Sequence, residues 1–426
     1  MSWNDRIERA LQHRRDKHLW RQRHTLDSAQ GTHVRCDGHT FLNFCSNDYL
    51  GLAATGQQDL SQAAERWAIG SGASHLVCGH SRAHHDLEQA LADYTGYPRA
   101  LLFSTGYMAN VGVISALAQR GDQILQDKLN HASLLDGAQL SRARMTRYRH
   151  ADLAHLNDLL ERFAPVCKTD GANTEPPQRE GTETDLQADT SKAETLVVTD
   201  SIFSMDGDLA NIAAMATSCQ QHQALLMVDD AHGLGILGPQ GRGVRAHFDL
   251  SCEQLPVYIG TLGKAFGGYG AFVAGSEDLI DYLIQFARSY IYTTAMPPAL
   301  ADAMLGNLQR LQDDSLRNTL HQRIAQFRRG AQEIGLPLMA SESPIQPILV
   351  GNSQQALALS QALRESGIWV SAIRPPTVPV NEARLRVTLT AAHSEADVTQ
   401  LLQALEQHWQ ALTTAKPATQ PHPEAP

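Results

Sequence analysis

Short apolar runs that alternate with helical stretches are the feature that most constrains how this chain folds. The runs recur between residue 44 and about residue 300, and each is nearly continuous in aliphatic residues. The clearest of them are Ala100–Phe103, Thr195–Thr199, Ala224–Val228 and Val257–Gly260. Strands of this kind are buried on both faces, which requires helices on either side of a largely parallel sheet. We therefore predict an α/β fold with a large, mostly parallel sheet domain.

The same pattern divides the chain into successive parts. Residues 1–48 are predicted to form an N-terminal helix, over residues 2–23, and an arm. Residues 49–315 form the large domain, and residues 316–412 form a smaller C-terminal α/β domain. The strands predicted in the smaller domain are Gln346–Val350, Trp369–Ile373 and Leu385–Leu389.

Two polar segments interrupt this order. Residues 165–194 are rich in Thr, Glu, Asp, Gln, Gly and Pro. They cannot bury enough apolar surface to offset the entropy lost on ordering, so we expect a mobile surface insertion. Residues 413–426 contain four prolines and are expected to be a disordered tail.

Composition narrows the class of partner. The net charge of -10 argues against a broad nucleic-acid surface. The polar N-terminus predicts no signal peptide, and no apolar run approaches the roughly 18 residues of a membrane span. The six cysteines show neither a Cys-x-x-Cys pair nor another metal-ligand spacing. We expect a cytoplasmic protein with reduced thiols, no metal site and no nucleic-acid or membrane partner.

Lys264 is an informative residue because lysine is rare in this chain. The lysines are Lys17, Lys128, Lys168, Lys192, Lys264 and Lys416. Lys264 follows an apolar strand, within the glycine-rich segment Gly260–Gly270. Partial desolvation there favours the neutral amine, which is the form that makes a Schiff base. The same segment also fits a surface lysine beside a glycine-rich turn.

Asp229 and His232 follow another apolar strand. The carboxyl ends of parallel strands form the edge at which open α/β sheets bind ligands. A carboxylate at that edge can keep a pyridinium nitrogen protonated, and His232 can hydrogen-bond the phenolic oxygen of the same ring. The alternative is that Asp229 caps the next turn and that His232 is a loop histidine with a structural role.

Further signals lie at other strand ends. The backbone amides of Gly106 and Tyr107 stand where a strand runs through glycine into a helix, which is an arrangement that binds phosphate. Neither a Gly-x-Gly-x-x-Gly fingerprint nor a P-loop is present, which argues against nicotinamide and ATP sites. His131 fits either a residue that stacks on a cofactor ring or a structural histidine. Ser204 and Thr261 offer hydroxyl groups.

Arg374 heads the proline-rich segment Arg374–Pro379. The prolines stiffen the loop and reduce the entropy lost when a ligand is held. Since arginine binds carboxylates in a bidentate manner, this loop suits an amino-acid substrate, although a simple surface turn fits equally. The basic run that contains Arg14 and Arg21 fits a local anion site or a solvated helix face.

Together these motifs, in their order along the chain, match a known family. From Ser2 to about Leu412 the chain resembles the α-oxoamine synthases, which are fold-type-I pyridoxal-phosphate enzymes. The segments that carry the resemblance are Asn43–Gly51, Gly70–Gly72, Asn130–Ser133, Phe203–Asp208, Val228–Gly233, Thr261–Lys264, Ile291–Pro298 and Ala372–Pro379. The resemblance implies an aspartate-aminotransferase-like fold and pyridoxal 5'-phosphate as the cofactor.

The resemblance also implies a role for each residue. Lys264 binds the cofactor covalently and then removes the α-proton of the amino acid. Asp229 pairs with the pyridine nitrogen, His131 stacks on the ring and His232 contacts its phenolic oxygen. The residues implied to hold the cofactor, largely through its phosphate, are Gly106, Tyr107, Ser204 and Thr261. The residues implied to face the substrates are Arg21, His131, Arg374 and Thr377.

The reaction implied is the decarboxylating condensation of L-alanine with a pimeloyl thioester, carried by acyl carrier protein or coenzyme A, in biotin synthesis. A homodimer is implied, with active sites at the subunit interface and Tyr292–Thr294 reaching the partner's phosphate. A sister enzyme that uses glycine, such as 2-amino-3-ketobutyrate ligase or 5-aminolevulinate synthase, stays an alternative. So do a lyase or aminotransferase of the same fold and a non-catalytic binding module.

Two features depart from the family pattern. Residues 165–194 lengthen a connection that is usually short in the family. His75 and Cys78 stand where the resemblance leads us to expect smaller or less polar side chains. Their loop lies near the active site in the family, so we expect them to bear on substrate selection.

Overall fold

A computed structural model describes residues 2–17, 19–163 and 193–414. Most of the predicted insertion and tail, residues 165–192 and 415–426, therefore lies outside the described residues. The strands of the described chain are β1 (His33–Cys36), β2 (His39–Asn43), β3 (Arg99–Phe103), β4 (Gln123–Asp127), β5 (Arg144–Tyr148), β6 (Thr195–Asp200), β7 (Leu225–Asp229), β8 (Val257–Thr261), β9 (Ala271–Gly275), β10 (Ile345–Gly351), β11 (Ile368–Trp369), β12 (Ser371–Ile373) and β13 (Ala383–Thr388).

Helices alternate with these strands along much of the chain. They are α1 (Trp3–Asp16), α2 (Gln57–Trp67), α3 (Arg82–Thr95), α4 (Gly106–Leu117), α5 (Ala132–Ser141), α6 (Leu153–Phe163), α7 (Ile212–Gln221), α8 (Val244–His247), α9 (Glu277–Phe286), α10 (Arg288–Ile291), α11 (Pro298–Leu311), α12 (Asp314–Ile334), α13 (Ser353–Glu365) and α14 (Glu395–Thr414). A π-helix, His75–Gly79, precedes α3. Among the described helices, none combines the length and apolar composition that crossing a membrane requires.

The larger of two compact units comprises Thr55–Ser204 and Asp208–Arg317. It contains a seven-stranded sheet of order β3-β9-β8-β7-β6-β4-β5. Strands β5, β4, β6, β7 and β8 pair in parallel, and β9 is antiparallel to both of its neighbours. The mostly parallel sheet predicted from the apolar runs is confirmed.

One face of this sheet is covered by α4, α5 and α9 through a continuous apolar core. The core explains why the strand residues are aliphatic, since each strand also packs on a second face. Its buried members include Leu101, Val113, Ile124, Leu134, Val198, Ile259 and Leu283. This packing holds the strand ends in fixed register, which matters for the polar groups that follow them.

The smaller unit comprises Met1–Ala54, Met205–Gly207 and Asn318–Pro426. It contains two three-stranded sheets, β1-β2-β11 and β10-β13-β12. The single strand predicted over residues 369–373 is divided in two, because β11 pairs with β2 whereas β12 pairs with β13. The N-terminal arm joins the C-terminal residues in this unit, because its strand β2 pairs with β11.

Helix boundaries differ from prediction at both ends of the chain. The helix predicted over residues 2–23 ends at Asp16, and none of its residues is buried. A capping box between Ser2 and Asp5 fixes its start, but without tertiary packing nothing prolongs it through the basic run. At the other end, α14 includes Thr413, which we expected to lie in the tail and which donates to the Trp409 carbonyl at 3.1 Å.

Candidate active site

Polar side chains collect at the carboxyl edge of the large sheet. Asp200 ends β6 and Asp229 ends β7, and the two residues are directly paired in the sheet register. Asp229 is in turn paired with Ile259 of β8, whose strand ends at Thr261 and leads into Lys264. Parallel strands thus bring residues that are distant in sequence to one edge, where open α/β sheets bind ligands.

Asp229 and Asp230 are both buried but have different hydrogen-bond partners. Asp230 accepts hydrogen bonds from Ser201 Oγ at 2.5 Å, Tyr258 OH at 2.6 Å and the Val244 amide at 2.8 Å. Its oxygens therefore connect strands and turns of the large unit. Asp229 is 5% exposed and ends β7 at the polar edge of the sheet.

Asn110, on α4, supports Asp229. Its side-chain amide donates to Asp229 Oδ2 at 2.6 Å and to Ser133 Oγ at 2.9 Å. The other carboxylate oxygen of Asp229 accepts from the Ala231 amide at 2.9 Å. Because donors reach both oxygens, the carboxylate is held in one orientation.

His131 joins the same network at the start of α5. Its backbone amide donates to Asp200 Oδ2 at 2.7 Å, and its Nδ1 lies 2.8 Å from Ser133 Oγ. Ser133 thus links His131 to Asn110 and, through it, to Asp229. We refer to Asn110, His131, Asp200, Asp229 and Lys264 as the strand-end cluster.

The charged members of the strand-end cluster influence one another's ionisation. Loss of hydration lowers the pKa of His131, while Asp229 opposes this shift and Lys264 adds to it. Burial raises the pKa of Asp200 well above its usual range, and repulsion from Asp229 adds to the shift, whereas the His131 amide and Lys264 oppose it. The charge of Lys264 is therefore felt by both His131 and Asp200.

The turn that carries Lys264 is tightly constrained. The Lys264 carbonyl accepts from the Gly267 amide at 2.8 Å, and the Leu262 carbonyl accepts from the Gly268 amide at 2.7 Å. Gly267 has φ of 67°, a conformation that favours glycine. A side chain at Gly268 would collide with the sulfur of Met304. The conformation at Gly267 and the two backbone hydrogen bonds fix the turn and, with it, the backbone of the lysine.

The start of α4 lies beyond the end of β3, which runs in the same direction as β8. Thr105 caps the helix by accepting from the Met108 amide at 3.2 Å, and the amides of Gly106 and Tyr107 belong to the first turn, which has no acceptors within the helix. Nothing lies within 4 Å of where a Gly106 side chain would be. The Tyr107 hydroxyl donates to Asp136, and this bond raises the pKa of the phenol.

The remaining predicted cofactor ligands are also at strand ends in the large unit. Ser204 follows β6, Thr261 ends β8, and His232 follows β7. Thr261 Oγ1 donates to the Gly270 carbonyl at 3.1 Å and accepts from the Gly263 amide at 3.3 Å. Together the edge offers an amine for an aldehyde, a carboxylate for a ring nitrogen and open helix-start amides for a phosphate. The residues present therefore fit pyridoxal phosphate.

Three of the four predicted substrate residues, Arg21, Arg374 and Thr377, lie together in the smaller unit, whereas His131 belongs to the larger unit. A cavity of about 200 Å³ is lined by Arg14, Leu19, Arg21, Ala372, Ile373, Arg374, Pro375, Pro376 and Thr377. The Thr377 amide donates to the Arg374 carbonyl at 3.1 Å, which closes the turn, and burial lowers the pKa of the Arg374 guanidinium. We call this group the arginine cavity. Its three guanidinium groups make it suited to carboxylates or phosphates.

Comparison with known proteins identifies the family. The model of the class I and II aminotransferases matches residues 39–405. The 8-amino-7-oxononanoate synthase of Pseudomonas syringae pv. tomato is 54% identical over 97% of this chain and 98% of its own length. That of Pseudomonas aeruginosa is 55% identical over 95% of each chain.

The chain belongs to the 8-amino-7-oxononanoate synthase family. It is a pyridoxal-phosphate-dependent acyltransferase, and the aminotransferase-like fold and cofactor expected from the resemblance are confirmed. The synthase structure from Francisella tularensis is 31% identical, with a TM-score of 0.70 over 87% of this chain and 98% of its own. A serine palmitoyltransferase from S. paucimobilis, solved with pyridoxal phosphate joined to myriocin, is 26% identical, with a TM-score of 0.85 over 97% and 100% of the two chains.

The sequence did not point to every residue of the site. Asn110 and Ser133 are ordinary polar residues on helices, and Asp200 looks like the last residue of a strand. Each becomes important only through a contact with a residue far away in the chain. Asp200 could have been found from the sequence, because it directly follows the apolar run Thr195–Thr199. Neighbouring parallel strands end at the same edge of a sheet.

Proposed function

We propose that the protein condenses L-alanine with a pimeloyl thioester, on acyl carrier protein or coenzyme A, to give 8-amino-7-oxononanoate, CO2 and the free carrier. The bond formed joins the alanine α-carbon to the thioester carbonyl carbon, the thiolate leaves, and the bond from the α-carbon to the carboxylate breaks. The product is the nine-carbon intermediate from which biotin is made.

The observation that carries this proposal is the identity of 54–55% to named 8-amino-7-oxononanoate synthases over nearly the whole chain. A match over 97% of the chain includes the positions of both the strand-end cluster and the arginine cavity. The serine palmitoyltransferase likeness, at 26% identity, supports the same class of chemistry with a different amino acid. An experiment must therefore decide which amino acid accepts the acyl group.

The strand-end cluster supplies the acid–base groups. Bound pyridoxal phosphate provides a ring that takes up the electron pair released when a bond to the α-carbon breaks. Asp229, oriented by Asn110, would hold a proton on the ring nitrogen of the cofactor. Lys264 would hold the cofactor and then take the α-proton of the amino acid, and a proton must return to the α-carbon once CO2 has left. His131 would face the ring, where its imidazole could donate to the thioester or carboxylate oxygen.

Charge explains what the arginine cavity contributes. L-alanine carries one carboxylate, and a pimeloyl chain carries another at its far end. Arg374 binds the amino-acid carboxylate in the proposed arrangement, with Thr377 as a further donor, and Arg21 binds the acyl substrate. Arginine suits both tasks since its guanidinium can donate two parallel hydrogen bonds to one carboxylate.

We further propose that the enzyme acts as a homodimer. Large apolar side chains are exposed around two joined loops of the large unit: Ile69 is 86% exposed, Val77 77% and Tyr292 73%. The loops are tied by Ser71 Oγ, which donates to the Ala295 carbonyl at 2.7 Å. Exposed patches of this kind mark interaction surfaces, and a second copy that covers them would bring Tyr292–Thr294 towards the partner's phosphate site. Sedimentation of the purified protein at several concentrations measures this directly.

The activity is tested with matched substrates. Purified enzyme is given pimeloyl thioester and equal amounts of L-alanine, glycine or L-serine, and the products are identified by mass spectrometry. We expect 8-amino-7-oxononanoate, with release of one CO2 per free thiol, and a strong preference for L-alanine. Running the series on both carrier protein and coenzyme A identifies the acyl donor.

Other outcomes would redirect the proposal. Turnover with glycine alone would move the enzyme to the sister activities. Transamination without thiol release would contradict acyl transfer, while keeping the fold and the cofactor. The variant Lys264→Ala serves as the control for product that arises without the enzyme.

A further inference from the structure

Three histidines converge in the large unit, apart from the strand-end cluster. His75 opens the π-helix His75–Gly79, His80 follows it directly, and His84 lies in the first turn of α3. One ring nitrogen of each lies within 4.8 Å of the corresponding nitrogens of the other two. His75 and His84 are buried, with exposures of 8% and 0%, whereas the His80 side chain is 32% exposed.

One distance within this histidine cluster is close to that between two ligands of the same metal ion. His75 Nδ1 and His80 Nδ1 are 3.0 Å apart. Two imidazole nitrogens bound to tetrahedral Zn²⁺ at about 2.0–2.1 Å are separated by about 3.3 Å. For Zn²⁺ to bind both His75 Nδ1 and His80 Nδ1, these two atoms must move apart by only a few tenths of an ångström.

A backbone carbonyl orients one of the rings as a metal site requires. His84 Nε2 donates to the Met296 carbonyl at 2.7 Å, which leaves Nδ1 of that ring as the lone-pair atom, and a carbonyl behind a histidine is the usual support of a zinc ligand. His80 Nε2 lies 3.9 Å from the Glu88 carboxylate, which is beyond hydrogen-bond distance. His84 Nδ1 now accepts from the Ser81 amide at 3.0 Å and lies 2.9 Å from Ser81 Oγ, so both contacts must be exchanged on binding.

We propose that His75, His80 and His84 bind a divalent transition-metal ion, best Zn²⁺, with water in the fourth position on the exposed side of His80. Three imidazoles and an open position are an established zinc arrangement. The ion would join the π-helix to the start of α3 and hold that loop in place. The spacings His75-x4-His80 and His80-x3-His84 fall within the His-x3–5-His range of zinc ligands, so the sequence carried a signal that the expectation of no metal site overlooked.

The test uses full-length holoenzyme without a histidine tag. Zn²⁺ is titrated in competition with a chelating indicator, and Co²⁺ is titrated in parallel for its visible spectrum. We expect about one ion per chain and the intense bands of tetrahedral Co²⁺. Loss of a supporting group costs about 10- to 100-fold in metal affinity, so His80→Asn, which removes a ligand, should lose about 100-fold or more.

The matched control is His85→Asn, at the next residue after His84 but exposed and outside the cluster; it should bind the ion as the wild type does. Retained cofactor absorbance shows that each variant is folded. Equal affinity in wild type and His80→Asn, or a Co²⁺ spectrum without tetrahedral bands in the wild type, would mean that the histidines form only a hydrogen-bonded cluster. Neither readout depends on turnover, so failure here leaves the proposed reaction untouched.

Discussion

The strand-end cluster and the arginine cavity hold their polar groups in different ways. In the cluster, Asn110 and Asp229 are nearly or fully buried and linked by a hydrogen bond of 2.6 Å. In the cavity, Arg21 and Thr377 are exposed and Arg374 is partly so, and all three belong to loops rather than to paired strands. The sheet and its helices fix the strand-end cluster, whereas loops carry the residues of the arginine cavity.

This difference corresponds to what each group has to do. Cofactor chemistry depends on a few atoms held in one geometry, which strands and helix starts provide. Substrate selection changes between related enzymes, and loops accommodate such changes without loss of the core. The likeness to both the synthases and a serine palmitoyltransferase fits this division. Substitutions in the two regions should therefore have different signatures.

The largest effect is expected for Lys264→Ala. Loss of the amine removes both the covalent attachment of the cofactor and the base, and proton transfer alone is worth about 10²- to 10⁴-fold in rate. Product formation and cofactor absorbance should fall together. Lys128→Ala, which changes an exposed lysine after β4, is the control; if it lost as much activity, the choice of lysine would be wrong.

Asp229→Asn and Asp230→Asn should separate function from stability. An amide at position 229 cannot hold the ring nitrogen protonated, and a charge-assisted bond is worth about 1.5–3 kcal/mol, so cofactor affinity should fall about 10- to 100-fold. An amide at position 230 points an N–H₂ group at donors such as Tyr258, which should cost about 1–3 kcal/mol of unfolding free energy. Cofactor titration and urea unfolding measure the two effects. Identical behaviour of the two variants would break the distinction.

Arg374→Lys should affect the substrate and spare the cofactor. Lysine keeps the charge but loses the bidentate geometry, so KM for L-alanine should rise about tenfold. Cofactor absorbance and stability should match the wild type. Steady-state kinetics beside Arg23→Lys, outside the cavity, provide the control, and an unchanged KM would remove Arg374 from the substrate site.

A further effect concerns pH and the loop that follows β6. Loss of hydration opposes protonation of His150, but hydrogen bonds at 3.0 Å to Asp127 and to Asp208 raise its pKa to about 10. The folded state then binds this proton more tightly than the unfolded chain does. The stabilisation is complete below about pH 6.5 and is lost as pH rises through about 10.

Urea unfolding across this pH range should therefore show a steeper loss of stability in the wild type than in His150→Asn. The variant His247→Asn, at a different histidine of the same unit, should follow the wild type. Parallel curves for wild type and His150→Asn would show that the histidine does not anchor the loop.

Much of this architecture could be predicted from the sequence, because apolar runs such as Thr195–Thr199 report burial on both faces of a strand. The division of residues 369–373 between two sheets could not be predicted, since strand propensity is silent on which partner a strand chooses. The early end of α1 was missed for a related reason. Helical periodicity was present, but the packing that would have prolonged the helix was not.

The residues of the candidate site likewise include some that the sequence predicted and some that it did not. Lys264 and Asp229 were found because each follows an apolar strand, a local signal that the fold converts into proximity. Asn110 carries no such signal, and its importance rests on one bond to a residue more than a hundred positions away. The histidine cluster was missed although His75-x4-His80 and His80-x3-His84 have zinc-ligand spacings, because such spacings are common and only the fold shows that the rings converge.

The central claim is that Lys264 holds the cofactor at the carboxyl edge of the sheet. The direct measurement is borohydride reduction of the purified enzyme with pyridoxal phosphate, followed by peptide mass spectrometry. We expect the mass of the reduced cofactor on the peptide that contains Lys264, and its loss when L-alanine is added before reduction. Label on another lysine, or no label together with an active enzyme, would contradict the assignment of the site.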